Sequence, residues 1–419
     1  MNPCLKHLHP SLQDGWRFCV WLIYAGSIGF LVGIVAIAFH YGIHWATDIR
    51  LSHPTILWAL PFTGAAIVFF YRVCGMEKDQ GTNLVLVAVR EAEPLKLRTA
   101  PLIFLSTVLT HLVGGSAGRE GAALQLGGSL AAWVGKKIRL DAKDHRIMIM
   151  CGMSAAFSAL FGTPLTAALF SMEVVSVGVL YYAALVPCLT SAMVAFQLAC
   201  LCGLHQVDSY PIHEVLALTP TSMVKVMILG VLCALVSILF CVSVHTAPKL
   251  YQKLIPQPLL RAFLGGCLVL LVTSLIGSQD YNGAGDTVIQ RMLEGETIPE
   301  AFLFKILLTA LTLGAGFRGG EIVPVLFTGA AFGTTLSTLL SIPHGFSGAL
   351  GMVAVFCGAT NCPISALLLA FELFGGEGMP LYALCCGVSY TLSGYYGLYH
   401  EQKIVYSKLK PEWINTKAR

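Results

Sequence analysis

Apolar stretches recur along this chain, separated by short segments rich in glycine, proline and charge. The stretches cover Cys19 to Phe39, Ile56 to Phe70, Val226 to Val244, Phe263 to Ile276, Ile322 to Leu340 and Ala349 to Leu373. Because a helix needs about 20 apolar residues to cross a bilayer, the longer stretches predict spanning helices and the shorter ones predict interrupted helices. Irregular backbone is tolerated at membrane depth only where it is buried in protein or lines a cavity. We therefore expect an all-α integral membrane protein of tilted and broken helices.

Composition agrees with this prediction. Only 11% of the residues are charged, whereas soluble domains are about a quarter charged. The first apolar stretch begins near Cys19 and is too long for the core of a signal peptide, so it predicts a first membrane helix. The predicted divisions are a cytoplasmic N-terminal segment (1–16), one transmembrane transport domain (17–406, with halves of about 17–205 and 220–406) and a short C-terminal tail (407–419).

Basic residues cluster near the chain ends and in short loops. They include Lys136, Lys137, Arg139, Lys403, Lys408 and Lys410. If these loops and both termini face the cytoplasm, the chain obeys the rule that cytoplasmic loops of membrane proteins are enriched in Lys and Arg.

An internal repeat relates two halves of the chain. At an offset of 199, the segment from Gly152 to Glu173 shares eight of twenty-two residues with the segment from Gly351 to Glu372. At an offset of 201, the segment from Thr110 to Gly128 matches the segment from Leu311 to Gly329 at one leucine, three glycines and one glutamate. One duplication explains both matches. Repeated helices with interruptions in corresponding places are typical of transporters whose site lies between the repeats, near the membrane midplane.

The first interruption reads Gly118-Arg119-Glu120-Gly121, and the apolar run after it predicts the start of a helix. The first N–H groups of a helix lack partners, and together with the helix dipole they favour an anion. Glu120 is itself a tethered anion, so it can occupy this position and leave it when protonated. We predict that Glu120 is both gate and proton carrier; the alternative is a glutamate that caps its own helix.

The second interruption, from Gly319 to Pro324, places another glutamate, Glu321, before a second helix start. Two membrane glutamates around one anion repel each other unless one is protonated. We infer that Glu321 is neutral for part of the time and then donates a hydrogen bond. The alternative is a structural salt bridge between Glu321 and Arg318 or Arg119.

The Gly-Arg-Glu-Gly motif, the repeated helix-break-helix units and a late tyrosine resemble the CLC family of chloride channels and proton-coupled antiporters. The resemblance extends from about Trp16 to Tyr406. It implies two inverted repeats of tilted and broken transmembrane helices, assembled as a homodimer with one pathway per subunit. It also implies a multi-pass protein of the bacterial plasma membrane, the cell inner membrane, that moves fluoride or chloride together with protons, with no nucleic-acid partner.

Two departures from the chloride branch indicate a subtype. Chloride members usually carry Gly-Ser-Gly-Ile-Pro early in the chain, where residues 80–85 here read Gln-Gly-Thr-Asn-Leu-Val. They also carry Gly-x-Phe-x-Pro in the second repeat, where residues 320–324 read Gly-Glu-Ile-Val-Pro. Both departures resemble the fluoride-exporting branch. We therefore predict fluoride export in exchange for protons; the alternative is a chloride/proton antiporter or a chloride channel of the same family.

The resemblance also implies roles for individual residues. Glu120 corresponds to the gating glutamate, Glu321 to the branch-specific glutamate and Tyr399 to the inner-gate tyrosine. Thr82 or Asn83 takes the early-loop role that Met or Asn often has in the fluoride branch. The predicted anion-binding residues are Gly118, Arg119, Glu120, Gly121, Thr82, Asn83, Glu321, Ile322, Val323 and Tyr399.

Two further carboxylates, Glu173 and Glu372, are related by the repeat. Chloride antiporters often have another glutamate where this chain has Val174, so an inner proton route through that position is absent. Both Glu173 and Glu372 lie at predicted helix ends, which favours capping or packing over transport.

A membrane enzyme is the other functional class to consider. Residues 114–118 fit the Gly-x-Ser-x-Gly pattern, with Ser116 as a candidate nucleophile and His111 nearby. That motif requires a strand, a sharp turn and a triad acid, whereas here it introduces a predicted helix. An enzyme using Ser116 or Glu120 explains the duplicated glutamates less well than anion transport does.

No metal or other cofactor is expected. The pairs His213-Glu214 and His400-Glu401 lack a second histidine at metal-ligand spacing. The cysteines lie mostly singly in apolar segments and show no paired spacing.

Overall fold

The computed structural model describes residues 10–77, 79–91, 93–204, 210, 212 and 214–419. These residues form sixteen α-helices, two 3-10 helices (Pro54–Ala59 and Tyr182–Ala184) and three strands. The helices are α1 (Pro10–Ser52), α2 (Leu60–Val73), α3 (Thr82–Glu91), α4 (Thr99–Leu112), α5 (Glu120–Lys137), α6 (Ala142–Phe161), α7 (Pro164–Glu173), α8 (Leu185–Leu201), α9 (Pro220–Leu254), α10 (Pro258–Ile276), α11 (Asp286–Glu294), α12 (Ala301–Ala315), α13 (Ile322–Leu340), α14 (His344–Thr360), α15 (Pro363–Phe374) and α16 (Met379–Leu392). The strands are β1 (Ser176–Val177), β2 (Lys403–Tyr406) and β3 (Trp413–Lys417).

The chain contains both long and short apolar helices, which confirms the predicted helical membrane protein. Within the described residues, six helical segments are long and apolar enough to span a bilayer: α1, α9, α10 and α13, and α2 and α8 each together with the 3-10 helix that precedes it. Five shorter apolar helices have 10–17 residues: α4, α12, α14, α15 and α16. The apolar run from Ala349 to Leu373 is divided between α14 and α15 before Pro363. Helix α1 begins at Pro10, inside the predicted N-terminal segment, and residues 1–9 of that segment lie outside the described residues.

Two repeat-related helices, α7 and α15, lie antiparallel to each other, as their glutamates demonstrate. Glu173, at the end of α7, accepts hydrogen bonds from the backbone N–H groups of Ile364 (3.1 Å) and Ser365 (2.9 Å) in the first turn of α15. Glu372, near the end of α15, accepts bonds from the backbone N–H (2.9 Å) and hydroxyl (2.6 Å) of Thr166 in the first turn of α7. Each carboxylate therefore caps a helix of the opposite half, and α7 and α15 are related by inversion.

The two faces of the molecule differ in charge. The basic face holds the start of α1, where Arg17 pairs with Asp144 (2.9 Å), and the end of α3, where Arg90 pairs with Glu401 (3.3 Å). The loop after α3 lines a surface cavity together with Lys136. The acidic face carries the segment 278–300, whose acidic residues are Asp280, Asp286, Glu294, Glu296 and Glu300.

A small sheet on the basic face was not predicted. Strand β2 pairs in parallel with β1 and antiparallel with β3, so the predicted C-terminal tail is part of the fold. The backbone N–H of Arg419 also donates to the carbonyl of Tyr395 (2.8 Å), and that of Ala418 donates to the carbonyl of Gln402 (2.9 Å). The sheet therefore fixes both ends of the loop that carries Tyr399.

Glycine contacts bring the helix pairs α5–α6 and α13–α14 close together. A Cβ atom added to Gly152 would collide with the backbone carbonyl oxygen of Gly127, and one added to Gly351 would collide with that of Gly329. Close backbone approach through small residues is a common way for membrane helices to pack. The second helix of each pair therefore supports the helix that begins at a repeat interruption.

Replacing Gly152 by valine is expected to destabilise the protein by about 1–3 kcal/mol, because the colliding atom belongs to backbone that cannot rotate away. The measurement is the fraction of detergent-purified protein that stays monodisperse on gel filtration after heating. Gly387→Val is the matched control, since the space around Gly387 is open within 4 Å. Equal thermal resistance of the two variants would contradict the packing argument.

Candidate anion site between the repeat interruptions

The two glycine-rich interruptions meet and pair with each other. The backbone N–H of Gly118 donates to the carbonyl of Gly320 and the N–H of Gly320 donates to the carbonyl of Gly118, both at 2.7 Å. A Cβ atom on Gly320 would lie 2.5 Å from the backbone nitrogen of Gly121, and one on Gly118 would lie 3.0 Å from Cδ of Pro324. Only glycine allows this contact. It places the N-termini of α5 and α13 side by side in the protein interior.

Both helix starts are open to an anion. Arg119 and Glu321 occupy the N-cap positions of α5 and α13, and neither side chain makes a capping hydrogen bond to its helix. The first N–H groups of each helix therefore lack partners within the helix, and the two helix dipoles add positive potential between them. Ile322 and Val323, the first two residues of α13, are both buried there.

Glu120 is fully buried at the first position of α5. Its carboxylate accepts hydrogen bonds from the backbone N–H (3.0 Å) and from Nε (3.2 Å) of Arg119. In this arrangement the carboxylate lies against the start of its own helix. The N–H groups and the helix dipole there would also attract an external anion.

Arg119 links Glu120 to the acidic face. Its guanidinium lies 3.9 Å from the carboxylate of Asp286 at the start of α11, and the Asp286 side chain is 44% exposed. A cavity of about 130 Å³ is lined by Arg119, Asp286 and Val323. Asp286, which the sequence motifs did not indicate, thus stands between solvent and the buried glutamate.

Glu321 pairs with neither arginine that the sequence offered as a partner. Arg318 instead lies 4.0 Å from Asp79 and stacks over the ring of Tyr71. Among the described residues, Oε2 of Glu321 is buried without a hydrogen-bond partner. The same oxygen lies 3.2 Å from the place that a Cβ on Gly121 would occupy, so it faces the first turn of α5.

Thr82, at the start of α3, borders the first turn of α5. Its hydroxyl donates to the carbonyl of Gly121 (3.2 Å) and accepts from the amide nitrogen of Gln125 (3.3 Å). Gln125 belongs to no sequence motif, although it is a lone amide one helical turn after Gly121. The side-chain oxygen of Asn83 is directed elsewhere and accepts from the backbone N–H of Glu401 (3.0 Å). The structure therefore places Thr82, and not Asn83, beside the two glutamates.

Tyr399 lies in the loop between α16 and β2 and is 1% exposed. Within the described part of the chain, its hydroxyl is buried without a hydrogen-bond partner. The neighbouring residue Leu398 donates its N–H to the carbonyl of Ala359 (2.8 Å), which holds the loop against α14.

The profile of the family described as "Voltage gated chloride channel" matches residues 63–394, which include the two paired interruptions and both glutamates. The chain belongs to this CLC family. The family resemblance predicted from the Gly118 to Gly121 motif is thereby confirmed.

Relatives among characterised and solved CLC proteins cover nearly the whole chain. A "Chloride/fluoride channel protein" of Pseudomonas syringae is 37% identical over 395 residues, 93% of this chain and 87% of that protein. The "H(+)/Cl(-) exchange transporter ClcA" of Salmonella arizonae is 22% identical over 398 residues, 88% of this chain and 84% of that protein. These two relatives are named as a channel and as an exchange transporter.

Solved structures agree on the architecture. A "CLC-type fluoride/proton antiporter" superposes with a TM-score of 0.89 at 32% identity, covering 92% of this chain and 98% of that one. A "slow cyanobacterial Cl-/H+ antiporter" superposes with a TM-score of 0.74 at 18% identity, covering 92% and 95% of the two chains, and so supports the fold alone. The predicted CLC-like fold of inverted, broken helices is confirmed.

The arrangement of Ser116 and His111 does not match that of a hydrolase. The hydroxyl of Ser116 is hydrogen bonded to the hydroxyl of Thr309 (3.0 Å), and Nδ1 of His111 contacts the carbonyl of Thr107 (2.9 Å). Within the described ranges, no group of three or more His, Cys, Asp or Glu residues is arranged to hold a metal ion. His213, one of the histidines considered above as a metal ligand, lies outside the described residues.

Proposed function

We propose that this CLC protein exports fluoride across the bacterial inner membrane in exchange for protons. The observation that carries the proposal is the position of Glu321, whose free carboxyl oxygen faces the first turn of α5 beside Glu120. The names of the relatives, one a chloride/fluoride channel and one a fluoride/proton antiporter, support the same ion.

We propose that the basic face lies in the cytoplasm, in agreement with the enrichment of Lys and Arg in cytoplasmic loops. The acidic face then lies outside, and the cavity lined by Arg119 and Asp286 opens toward the exterior. Tyr399, near the sheet of the basic face, lies on the inner side of the site. As in the family, the functional unit is proposed to be a homodimer with an independent pathway in each subunit.

The exchange follows from competition for one position. The deprotonated Glu120 carboxylate occupies the start of α5, and an external proton arriving past Asp286 neutralises it. The neutral side chain no longer competes for the partial positive charge of the helix, so fluoride from the cytoplasm takes its place. Glu120 then releases its proton toward the cytoplasm, and the resulting carboxylate returns to the start of α5 and expels fluoride outward.

Glu321 provides selectivity in this mechanism. Fluoride is small and strongly hydrated, so a dry site must replace water by short, strong hydrogen bonds. A protonated carboxyl is a strong donor toward an anion, and only the protonated form avoids repulsion from both fluoride and Glu120. The hydroxyls of Thr82 and Tyr399 are proposed as further donors at the two sides of the site.

Efflux measurements on liposomes containing the purified protein determine which anion the protein transports. Liposomes loaded with equal fluoride and chloride are diluted into ion-free buffer, with fluoride, chloride and external pH followed by electrodes. Fluoride efflux accompanied by proton uptake, with little chloride efflux, is expected. Chloride efflux as fast as fluoride efflux would assign the chain to chloride transport and leave Glu321 a structural residue. Protein-free liposomes provide the background.

A further inference from the structure

A second cavity opens on the basic face, away from the paired interruptions. It lies between the end of α2 and the start of α10 and has a volume of about 300 Å³, within the range of ligand pockets. Its polar lining comes from Tyr71, Arg72, Glu77, Arg261 and Arg318. None of these residues contributes to the anion site described above.

The cavity carries an excess of positive charge. Its three arginines face a single acidic residue, Glu77, which pairs with Arg72 (3.3 Å). Among the described residues, Nε of Arg261 is buried without a hydrogen-bond partner. Arg318 has only a marginal pair with Asp79, at 4.0 Å. Buried cationic groups without full partners are costly, so the lining favours an anionic ligand.

The start of α10 adds to this preference. Helix α10 begins at Pro258, and its N-cap residue Gln257 makes no side-chain capping bond. Leu259 also lines the cavity, so the unpaired N–H groups of the first turn are at its wall. A helix N-terminus beside arginines is a favourable environment for a phosphate group.

The surfaces next to the cavity are apolar and exposed. On α2, Phe69 and Phe70 are 51% and 40% exposed, and on α10, Leu260 and Leu264 are 45% and 40% exposed. Both helices are candidate membrane spans, so these side chains face acyl chains. A ligand that uses both the arginines and this surface must combine a phosphate with hydrocarbon.

We propose that the cavity binds the headgroup phosphate of an anionic phospholipid of the inner leaflet, with its acyl chains along α2 and α10. Arg261 and Arg318 contact the phosphate. Arg318 directly precedes the second interruption, and its partner Asp79 accepts a hydrogen bond from the N–H of Gly81 (2.7 Å), the residue before Thr82. A phosphate that competes with Asp79 for Arg318 therefore acts on both loops of the anion site.

Native mass spectrometry of the full-length protein, equilibrated with phosphatidylglycerol or phosphatidylcholine, tests this proposal. The wild-type protein is expected to retain phosphatidylglycerol in preference to phosphatidylcholine. Arg261→Gln combined with Arg318→Gln is expected to lower that retention by about fivefold per arginine removed. Lys253→Gln is the matched control, because Lys253 is an exposed cation on the same face that does not line the cavity.

Three outcomes would overturn the proposal. Equal retention of the two lipids by the wild-type protein excludes a headgroup site, whatever the variants do. An equal loss of phosphatidylglycerol retention in the double variant and in Lys253→Gln would show that retention depends only on general surface charge. Displacement of phosphatidylglycerol by an equal concentration of inorganic phosphate identifies a free-phosphate site instead. Arg261→Lys, which keeps the charge, is expected to retain the lipid and controls for misfolding. None of these measurements depends on which ion is transported.

Discussion

Glu120→Gln is expected to abolish proton uptake while fluoride continues to move down its gradient. Glutamine has the shape of the protonated glutamate but cannot release a proton, so the position at the start of α5 stays available to the anion. In liposomes, the proton flux that accompanies fluoride efflux should fall to the level of protein-free vesicles, as measured by an external pH electrode.

Glu377→Gln is the matched control, since it removes the same charge from an exposed glutamate in the loop between α15 and α16. It is expected to preserve coupled exchange. If coupled proton uptake persisted in Glu120→Gln, competition between carboxylate and anion for one position would be the wrong mechanism, and another group would have to carry the proton.

Glu321→Ala is expected to slow fluoride efflux and to reduce the ratio of the fluoride efflux rate to the chloride efflux rate. Removing a hydrogen bond to a charged partner costs about 1.5–3 kcal/mol, which corresponds to about a tenfold to hundredfold loss of rate. Chloride depends less on short hydrogen bonds, so its efflux should fall less or rise. Initial rates of both ions from the same liposomes give the selectivity ratio.

Glu321→Gln distinguishes the effect of the hydrogen-bond donor from the effect of the ionisable charge. The amide still donates a hydrogen bond but cannot be deprotonated, so intermediate fluoride rates are expected. Unchanged fluoride rates and undiminished rejection of chloride in both Glu321 variants would falsify the role proposed for this side chain. Glu377→Ala serves as the matched control for the alanine variant.

The sequence predicts the interruptions well because their requirements are local. Glycines at Gly118 and Gly320 permit a backbone approach that no other residue allows, and the glutamates recur beside them in both halves. Pro164 and Pro363 likewise occupy the first positions of α7 and α15, where proline is well tolerated. These features need no knowledge of which distant segments pack together.

Residues that depend on distant packing could not be predicted in the same way. Asp286 belongs to a short polar helix, and only the fold places it beside Arg119. Gln125 has no motif, and its role becomes visible only when α3 is positioned over α5. The tail after Tyr406 lacks a strong strand pattern, and its pairing with β2 depends on a partner strand brought near by the membrane domain.

The reciprocal bonds of Glu173 and Glu372 have an evolutionary consequence. A polypeptide containing one half alone would have unpaired N–H groups at one helix start. It would also carry a glutamate whose carboxylate could accept hydrogen bonds from the same groups in another copy. Two copies inserted with opposite orientations would satisfy each other. An ancestor assembled from two identical, oppositely oriented subunits therefore already had the contacts that one fused chain now makes internally.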